Sequence, residues 1–330
     1  MSDADLCYLT ATEALARFKA RKLSPVELVD ALAARAGKVA AKVNPFTYSF
    51  FERAREAARK AEARYMKTDG RLRALEGLPI VIKDETSVEG ERTTYGSRLF
   101  KDNVDTDTSP AAERIFKAGA IMLARTTVPE FCCTSVCWSP LWGVTRSPWN
   151  LRFSSGGSSG GAAAALAAGL ATLADGSDLG GSIRIPASAC GVYGFKAPYG
   201  RNPEQPPFNL DWYCHAGALA RSVADSALMQ NVIAGPHPRD IVAIRPKLRL
   251  PARLDQGIKG WRIAYSPDLD IFPVDREVAA NTRAAADAFR ALGATVEEVK
   301  IGWTREIIDA AADHYSLIFG AWISQFAAKG

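Results

Sequence analysis

Residues 156–196 read GGSSGGAAAALAAGLATLADGSDLGGSIRIPASACGVYGFK and form the most informative stretch of the chain. Paired glycines flank two serines at its start, and the alanine-rich run 162–168 follows directly. Glycine lets the backbone take positive φ and approach other groups closely, and alanine is the best helix former. The pattern therefore predicts a tight loop at the N-terminus of a closely packed helix, and it argues against a flexible Gly/Ser linker.

A second glycine turn lies at the far end of the same stretch. Gly180 and Gly181 stand immediately before Ser182 and leave backbone N–H groups bare around a hydroxyl. Fixed donors of this kind are what an oxyanion hole needs. Asp178 and Arg184 flank the turn, and we expect them to form a structural salt bridge that braces it.

Upstream, Lys83 follows a short apolar run with β-branched residues, Leu78–Ile82, which predicts a buried strand. In α/β sheets, ligand sites gather at the carboxyl ends of strands. Burial disfavours an ammonium and lowers the pKa of a lysine below its reference of about 10.4, so a buried Lys83 would serve as a base. Taken alone, this pattern favours the alternative, a solvated lysine just past the end of a strand.

The alternation of helical and strand patterns predicts an α/β fold with a single domain, in which a central mixed β-sheet is covered on both faces by α-helices. The capping box Ser24-Pro25-Val26-Glu27 opens the first clear helix. Residues 235–257, rich in proline and basic residues, are interpreted as an excursion within one fold. Helices are predicted at 26–43, about 51–66, 110–117, 223–233 and 276–291, and further strands at 120–124, 262–265 and 294–298.

Composition excludes several classes of protein. With 48% hydrophobic and 23% charged residues, the 330-residue chain can build a sizeable core. The net charge of +5 is spread along the sequence, so we expect no nucleic-acid partner. We find neither a secretory signal nor a convincing membrane span, and expect a soluble, cytoplasmic protein with no membrane partner. The six cysteines lack the spacing of a zinc site and are interpreted as reduced, buried side chains.

Taken together, these segments resemble the amidase signature family. The stretch 156–196 is similar to the family's defining sequence, LPIVIKDETSVEGERTTYGS (78–97) to the segment with its catalytic lysine, and HAGALARSVAD (215–225) to a third family segment. The resemblance implies one amidase signature domain over 1–330, with a helical part at about 1–70 and a signature core at about 76–226. Family members usually continue further, so it also implies a truncated C-terminal part.

The resemblance implies hydrolysis of a linear carbon–nitrogen amide bond in a small-molecule substrate. Ser182 would be the nucleophile that forms an acyl-enzyme, Ser158 a bridging serine with a cis bond from Gly157, and Lys83 the base. Cys132 would line the acyl pocket. The backbone N–H groups expected to form the oxyanion hole belong to Leu179, Gly180, Gly181 and Ser182. No metal or organic cofactor is required, and a homodimer agrees with what is common in the family.

The chain departs from the family pattern at three positions outside this triad. Glu85 stands where relatives commonly carry asparagine, Thr127 replaces an asparagine, and Ala218 replaces a proline. These changes bear on substrate preference more than on the chemistry.

Three other interpretations stay open. The stretch 156–160 also fits G-x-S-x-G, the nucleophile elbow of α/β-hydrolases, with Ser158 as nucleophile and Asp211 and His215 as partners. Against it, an elbow follows a strand, and residues 150–155 make a poor one. The second alternative is an amidotransferase subunit that acts on aminoacyl-tRNA with partner subunits. The third is an inactive truncated homologue.

Overall fold

The computed structural model describes residues 3–67, 71–251 and 253–327. The chain forms two compact units, residues 1–252 and 253–330. The boundary between them falls within the proline-rich stretch 235–257. All of the candidate site residues lie in the first unit.

The first unit alternates helices and strands along most of its length. Its helices are α1 (Asp3–Cys7), α2 (Ala11–Lys19), α3 (Pro25–Val43), α4 (Phe51–Met66), α5 (Pro110–Lys117), α6 (Gly160–Ala167), α7 (Arg184–Cys190) and α8 (Val223–Ile233). Its strands are β1 (Phe46–Ser49), β2 (Pro79–Lys83), β3 (Ile121–Thr126), β4 (Trp138–Ser139), β5 (Gly143–Val144), β6 (Arg146–Ser147), β7 (Asn150–Ser154), β8 (Leu173–Asp178), β9 (Tyr193–Phe195) and β10 (His215–Ala220). Short 3₁₀ turns lie at Arg98–Phe100, Glu130–Cys132 and Phe208–Leu210.

The described residues of this unit form a six-stranded sheet in the order β1-β3-β2-β8-β10-β9. Strands β3, β2 and β8 run parallel to one another, whereas β1 and β10 pair antiparallel with β3 and β8. The sheet is therefore mixed and is flanked by helices, which confirms the predicted fold class. Because β2 and β8 are parallel, Lys83 and the residues that follow Asp178 lie at the same edge.

The helix predicted from the alanine run packs directly into the core. Helix α6 contacts β2, β3, β8 and β10, and its residues from Gly160 to Leu166 are all buried. A Cβ atom at Gly161 would lie 2.5 Å from the carbonyl oxygen of Pro45, so only glycine fits there. Small side chains thus allow the loop before α6 to sit against the sheet, where it presents Ser158.

Most of the other predicted elements are confirmed. Helix α3 begins with the predicted capping box, in which the Ser24 hydroxyl accepts the Val26 N–H and Glu27 bonds back to Ser24. The expectation that residues 150–155 would make a poor strand is wrong, because Asn150–Ser154 pairs with Arg146–Ser147 in a two-stranded hairpin outside the main sheet. All six cysteines are free, and Cys133 alone among them is not buried.

The second unit contains β11 (Arg262–Tyr265), α9 (Arg276–Ala291), β12 (Thr295–Glu298) and α10 (Arg305–Ala327). Strands β11 and β12 pair in parallel, as expected when a helix connects them. Within the described ranges of the chain, no helix has both the length and the hydrophobicity needed to cross a bilayer.

Candidate active site

Lys83 ends strand β2 and is completely buried. Its Nζ atom lies 2.7 Å from Ser158 Oγ and 2.8 Å from Ser177 Oγ. The same atom lies 2.6 Å from a carboxylate oxygen of Glu85. The structure thus brings the predicted lysine and the predicted bridging serine into direct contact and adds two polar partners to them.

The electrostatics of Lys83 differ from the expectation. Burial alone would lower the pKa of Lys83, as predicted. The charge of Glu85 and, to a smaller extent, Cys132, the Glu85 hydrogen bond and Asp175 outweigh burial and raise this pKa above its ordinary value. The expected lowering is therefore wrong. Nothing in the sequence had indicated that Glu85 contacts Lys83.

Ser158 lies in the tight loop before α6, and the Gly157–Ser158 peptide bond is cis. A Cβ atom at Gly157 would lie 2.7 Å from the carbonyl oxygen of Thr134, so the loop requires glycine there. Cys132 is buried beside this loop. Burial and the Glu85 charge raise the pKa of the Cys132 thiol well above its usual value, against the opposing effects of Lys83 and Ser158, which keeps the thiol neutral.

The turn that carries Ser182 is organised around the buried carboxylate of Asp178. This carboxylate accepts the backbone N–H groups of Gly181 at 2.8 Å, Ile183 at 3.1 Å and Arg184 at 3.2 Å. The Arg184 guanidinium donates to both oxygens, at 2.7 and 2.9 Å, and the predicted salt bridge is confirmed. Burial alone would raise the pKa of Asp178, but these bonds hold it below its usual value.

This arrangement divides the four N–H groups predicted for the oxyanion hole. The Gly181 N–H is donated to Asp178, so it is not directed at a substrate in this structure. Within the part of the chain that the structure describes, the N–H groups of Leu179, Gly180 and Ser182 have no hydrogen-bond acceptor. Three of the four predicted donors are therefore available for an oxyanion.

Ser182 is partly exposed. Its carbonyl oxygen accepts the Ser159 N–H at 3.0 Å, and this bond holds Ser182 beside the loop that carries Ser158. The Ser182 hydroxyl makes no hydrogen bond to any described residue. The link between Ser158 and Ser182 is thus open in this structure, and catalytic hydrogen bonds often tighten only when substrate binds.

The alternative triad is not assembled around Ser158. His215 Nδ1 lies 2.7 Å from the carbonyl oxygen of Tyr213, and its Nε2 has no partner among the described residues. Asp211 accepts the N–H groups of Tyr213 and Cys214. The hydroxyl of Ser158 instead bonds to Lys83, so the histidine base that the G-x-S-x-G interpretation requires is not in place.

Three neighbours of Lys83 were not predicted as site residues from the sequence. Ser177 had no expected role, and Glu85 was only a departure from the family pattern. Asp175 is the third, since its carboxylate accepts the Lys83 backbone N–H at 2.6 Å. Asp175 and Ser177 are two residues apart on β8, so their side chains point to the same face of the strand. Because β8 pairs with β2, recognising residues 173–178 as a strand beside Lys83 would have revealed both.

The comparisons with known proteins place the chain in a family. The family model described as Amidase matches residues 27–329. The chain is 36% identical over 333 residues to an acylamidase of Rhodococcus erythropolis, a match that covers 100% of this chain and 68% of the relative. It is 37% identical over 302 residues to a glutamyl-tRNA(Gln) amidotransferase subunit of Anaeromyxobacter sp. (strain K), covering 90% of this chain and 61% of that protein.

A solved structure agrees with these matches. The crystal structure of a bacterial aryl acylamidase of the amidase signature enzymes superimposes with a TM-score of 0.91 and 32% sequence identity, covering 98% of this chain and 68% of that one. The chain thus spans 61–68% of the length of these three relatives. The expectation of an amide-hydrolysing enzyme is confirmed at the level of the family. The chain belongs to the amidase signature family, as its sequence motifs predicted.

Proposed function

We propose that the chain hydrolyses a carbon–nitrogen amide bond through an acyl-enzyme on Ser182. The observation that carries this proposal is the 2.7 Å contact between Lys83 Nζ and Ser158 Oγ, buried beside the glycine turn that holds Ser182. A serine hydroxyl is a weak nucleophile until a base takes its proton. Neutral Lys83 would take the proton of Ser158 while Ser158 takes that of Ser182.

The reaction then follows from the groups at hand. The oxygen of Ser182 attacks the amide carbonyl, and the N–H groups of Leu179, Gly180 and Ser182 stabilise the negative charge on the carbonyl oxygen. The relay returns its proton to the leaving nitrogen. Water hydrolyses the acyl-enzyme by the same route, and Cys132 lines the pocket for the acyl group.

The experiment is a screen of the 330-residue chain against aliphatic, aryl and peptide amides. We expect S182A and K83A to lose nearly all turnover and S158A to lose much of it. The exposed residues Ser188 and Lys38 provide matched controls, and S188A and K38A should keep the wild-type rate. Unchanged turnover in K83A would refute the relay.

The amidotransferase alternative is motivated by the 37% identity to the glutamyl-tRNA(Gln) amidotransferase subunit of Anaeromyxobacter sp. (strain K). It predicts co-purification with partner subunits and release of ammonia from glutamine only in their presence. Turnover of a simple amide by the isolated chain, without a partner, favours the amidase. A homodimer and a cytoplasmic location stay predictions, the first testable by light scattering of the purified chain.

A further inference from the structure

Lys83 is surrounded by three hydrogen-bond acceptors, as many as the N–H donors of its charged form. Its Nζ atom has partners at 2.7 Å (Ser158 Oγ), 2.8 Å (Ser177 Oγ) and 2.6 Å (Glu85 Oε2), and the side chain is 0% exposed. An ammonium has three N–H donors, whereas a neutral amine has only two and a lone pair. The cage therefore satisfies an ammonium completely, but the relay needs the neutral amine.

Glu85 is the charged member of this cage and closes it into a triangle. The Ser177 hydroxyl donates to Glu85 Oε2 at 2.5 Å while accepting from Lys83, so both side chains are fixed relative to the lysine. The Glu85 side chain is 21% exposed and connects the pair to solvent. A carboxylate at this distance favours the charged lysine strongly, because little water separates the two groups.

We propose that Glu85 is a positioning residue that holds Lys83 as an ammonium in the resting enzyme and thereby sets the pH above which Ser182 becomes reactive. The inference rests on the proposed function, since it takes Lys83 as the base. Above that pH, Lys83 loses a proton to solvent and its lone pair faces Ser158. Below it, the lysine donates to Ser158 and cannot accept the relayed proton.

Other charges around the pair do not replace Glu85. The carboxylate of Asp175, on β8, also raises the pKa of Lys83, but by less than Glu85, and it accepts the Lys83 backbone N–H and the Thr86 hydroxyl rather than bonding to Nζ. Among the described residues, the other titratable groups that interact with Lys83 or Glu85 are Tyr95, Cys132, Cys137, Glu204 and Cys214. Burial raises the pKa of Glu204 to about 7, so this residue titrates within the range of the assay and needs its own control.

The test follows the pH dependence of labelling by a fluorophosphonate, which needs no knowledge of the substrate. The Ser182 oxygen forms a bond to phosphorus, fluoride leaves, and the hydroxyl proton passes through Ser158 to neutral Lys83. We expect the wild-type labelling rate to rise into the alkaline range. In E85Q the rising limb should shift to lower pH by about 1–3 units.

Further variants keep the test decisive. E85D keeps the charge but draws it away from Nζ, so the alkaline rise of its labelling rate should shift to lower pH by less than in E85Q. E85D replaces E85Q in the test if a melting curve shows that E85Q does not fold. E204Q removes a nearby carboxylate that does not contact Nζ, so the alkaline rise of its labelling rate should shift by much less than that of E85Q. The proposal would be overturned if the labelling rates of E85Q and E85D rose over the same pH range as that of wild type. A folded E85Q that is not labelled at any pH would also overturn it.

The outcomes also separate this inference from the proposed function. If K83M labels as fast as wild type at every pH, Lys83 is not the base and the proposed function fails. If K83M loses labelling while E85Q keeps the wild-type limb, the proposed function stands and only the role of Glu85 is wrong.

Discussion

Replacing Asp178 by asparagine tests how the turn that carries Ser182 is held. The buried carboxylate accepts three backbone N–H bonds in addition to the two guanidinium bonds of Arg184. Hydrogen bonds to a charged group contribute about 1.5–3 kcal/mol each and neutral ones about 0.5–1.5 kcal/mol. Asparagine offers one acceptor oxygen and turns two N–H groups toward donors, so we expect the turn to lose about 3 kcal/mol of stability.

That loss would leave the reactive arrangement of Ser182 only rarely formed. Since about 1.4 kcal/mol corresponds to a factor of ten, fluorophosphonate labelling of D178N should be about a hundredfold slower than that of wild type. The assay is the second-order labelling rate at pH 8, alongside a melting curve. The pKa of Asp178 lies below its ordinary value, so its contribution is complete at this pH and is lost only as the pH falls through the folded pKa.

Arg184 supplies the matched control. Its side chain is 55% exposed, so the ion pair itself contributes at most about 1 kcal/mol. R184Q leaves the backbone bonds of Asp178 in place, and we expect it to slow labelling less than tenfold. Equal effects of D178N and R184Q would show instead that the ion pair, and not the backbone hydrogen bonds of Asp178, organises the turn.

Three further predictions concern stability and the rejected triad. Burial alone would raise the pKa of Glu76, but two arginines outweigh burial and hold this pKa low. E76Q should therefore lower the free energy of unfolding in urea by about 2 kcal/mol at pH 7. This difference from wild type should shrink as the pH falls through the folded pKa of Glu76, and it would be constant if the arginines were irrelevant. G161A places a methyl group against the Pro45 carbonyl and should lose about 1–3 kcal/mol, whereas G37A, in open space on helix α3, should melt no lower than wild type. H215A should keep amide turnover within about threefold, because the His215 ring bonds to the Tyr213 carbonyl, whereas the Ser158 hydroxyl bonds to Lys83. Abolished turnover in a folded H215A would revive the G-x-S-x-G interpretation.

Local signals were sufficient for much of the fold. Ser24 and Pro25 fixed the start of α3, and the apolar run before Lys83 placed that residue at the carboxyl end of β2. Strand β8 was not predicted because its sequence, LADGSD, has no β-branched residue and ends in polar ones. Its pairing with β2 supplies the strand character that the local sequence lacks.

The candidate site could be predicted only in part from the sequence. The glycine-rich turns and the lysine at the end of a strand are visible in the sequence, but the roles of Lys83, Ser158 and Ser182 came from the resemblance to the amidase signature family. The contacts of Lys83 with Glu85 and Ser177 could not be predicted, because they depend on how the turn after β2 folds over β8. The sign of the pKa shift of Lys83 depends on those contacts, so burial alone gave the wrong direction.

The proton relay from Ser182 through Ser158 to Lys83 is tested most directly by locating the fluorophosphonate adduct by peptide mass spectrometry in wild type, S158A and K83M. We expect an adduct on Ser182 in wild type, a weak one on the same serine in S158A, and almost none in K83M. An adduct on Ser158, or full labelling of Ser182 in K83M, would contradict the relay.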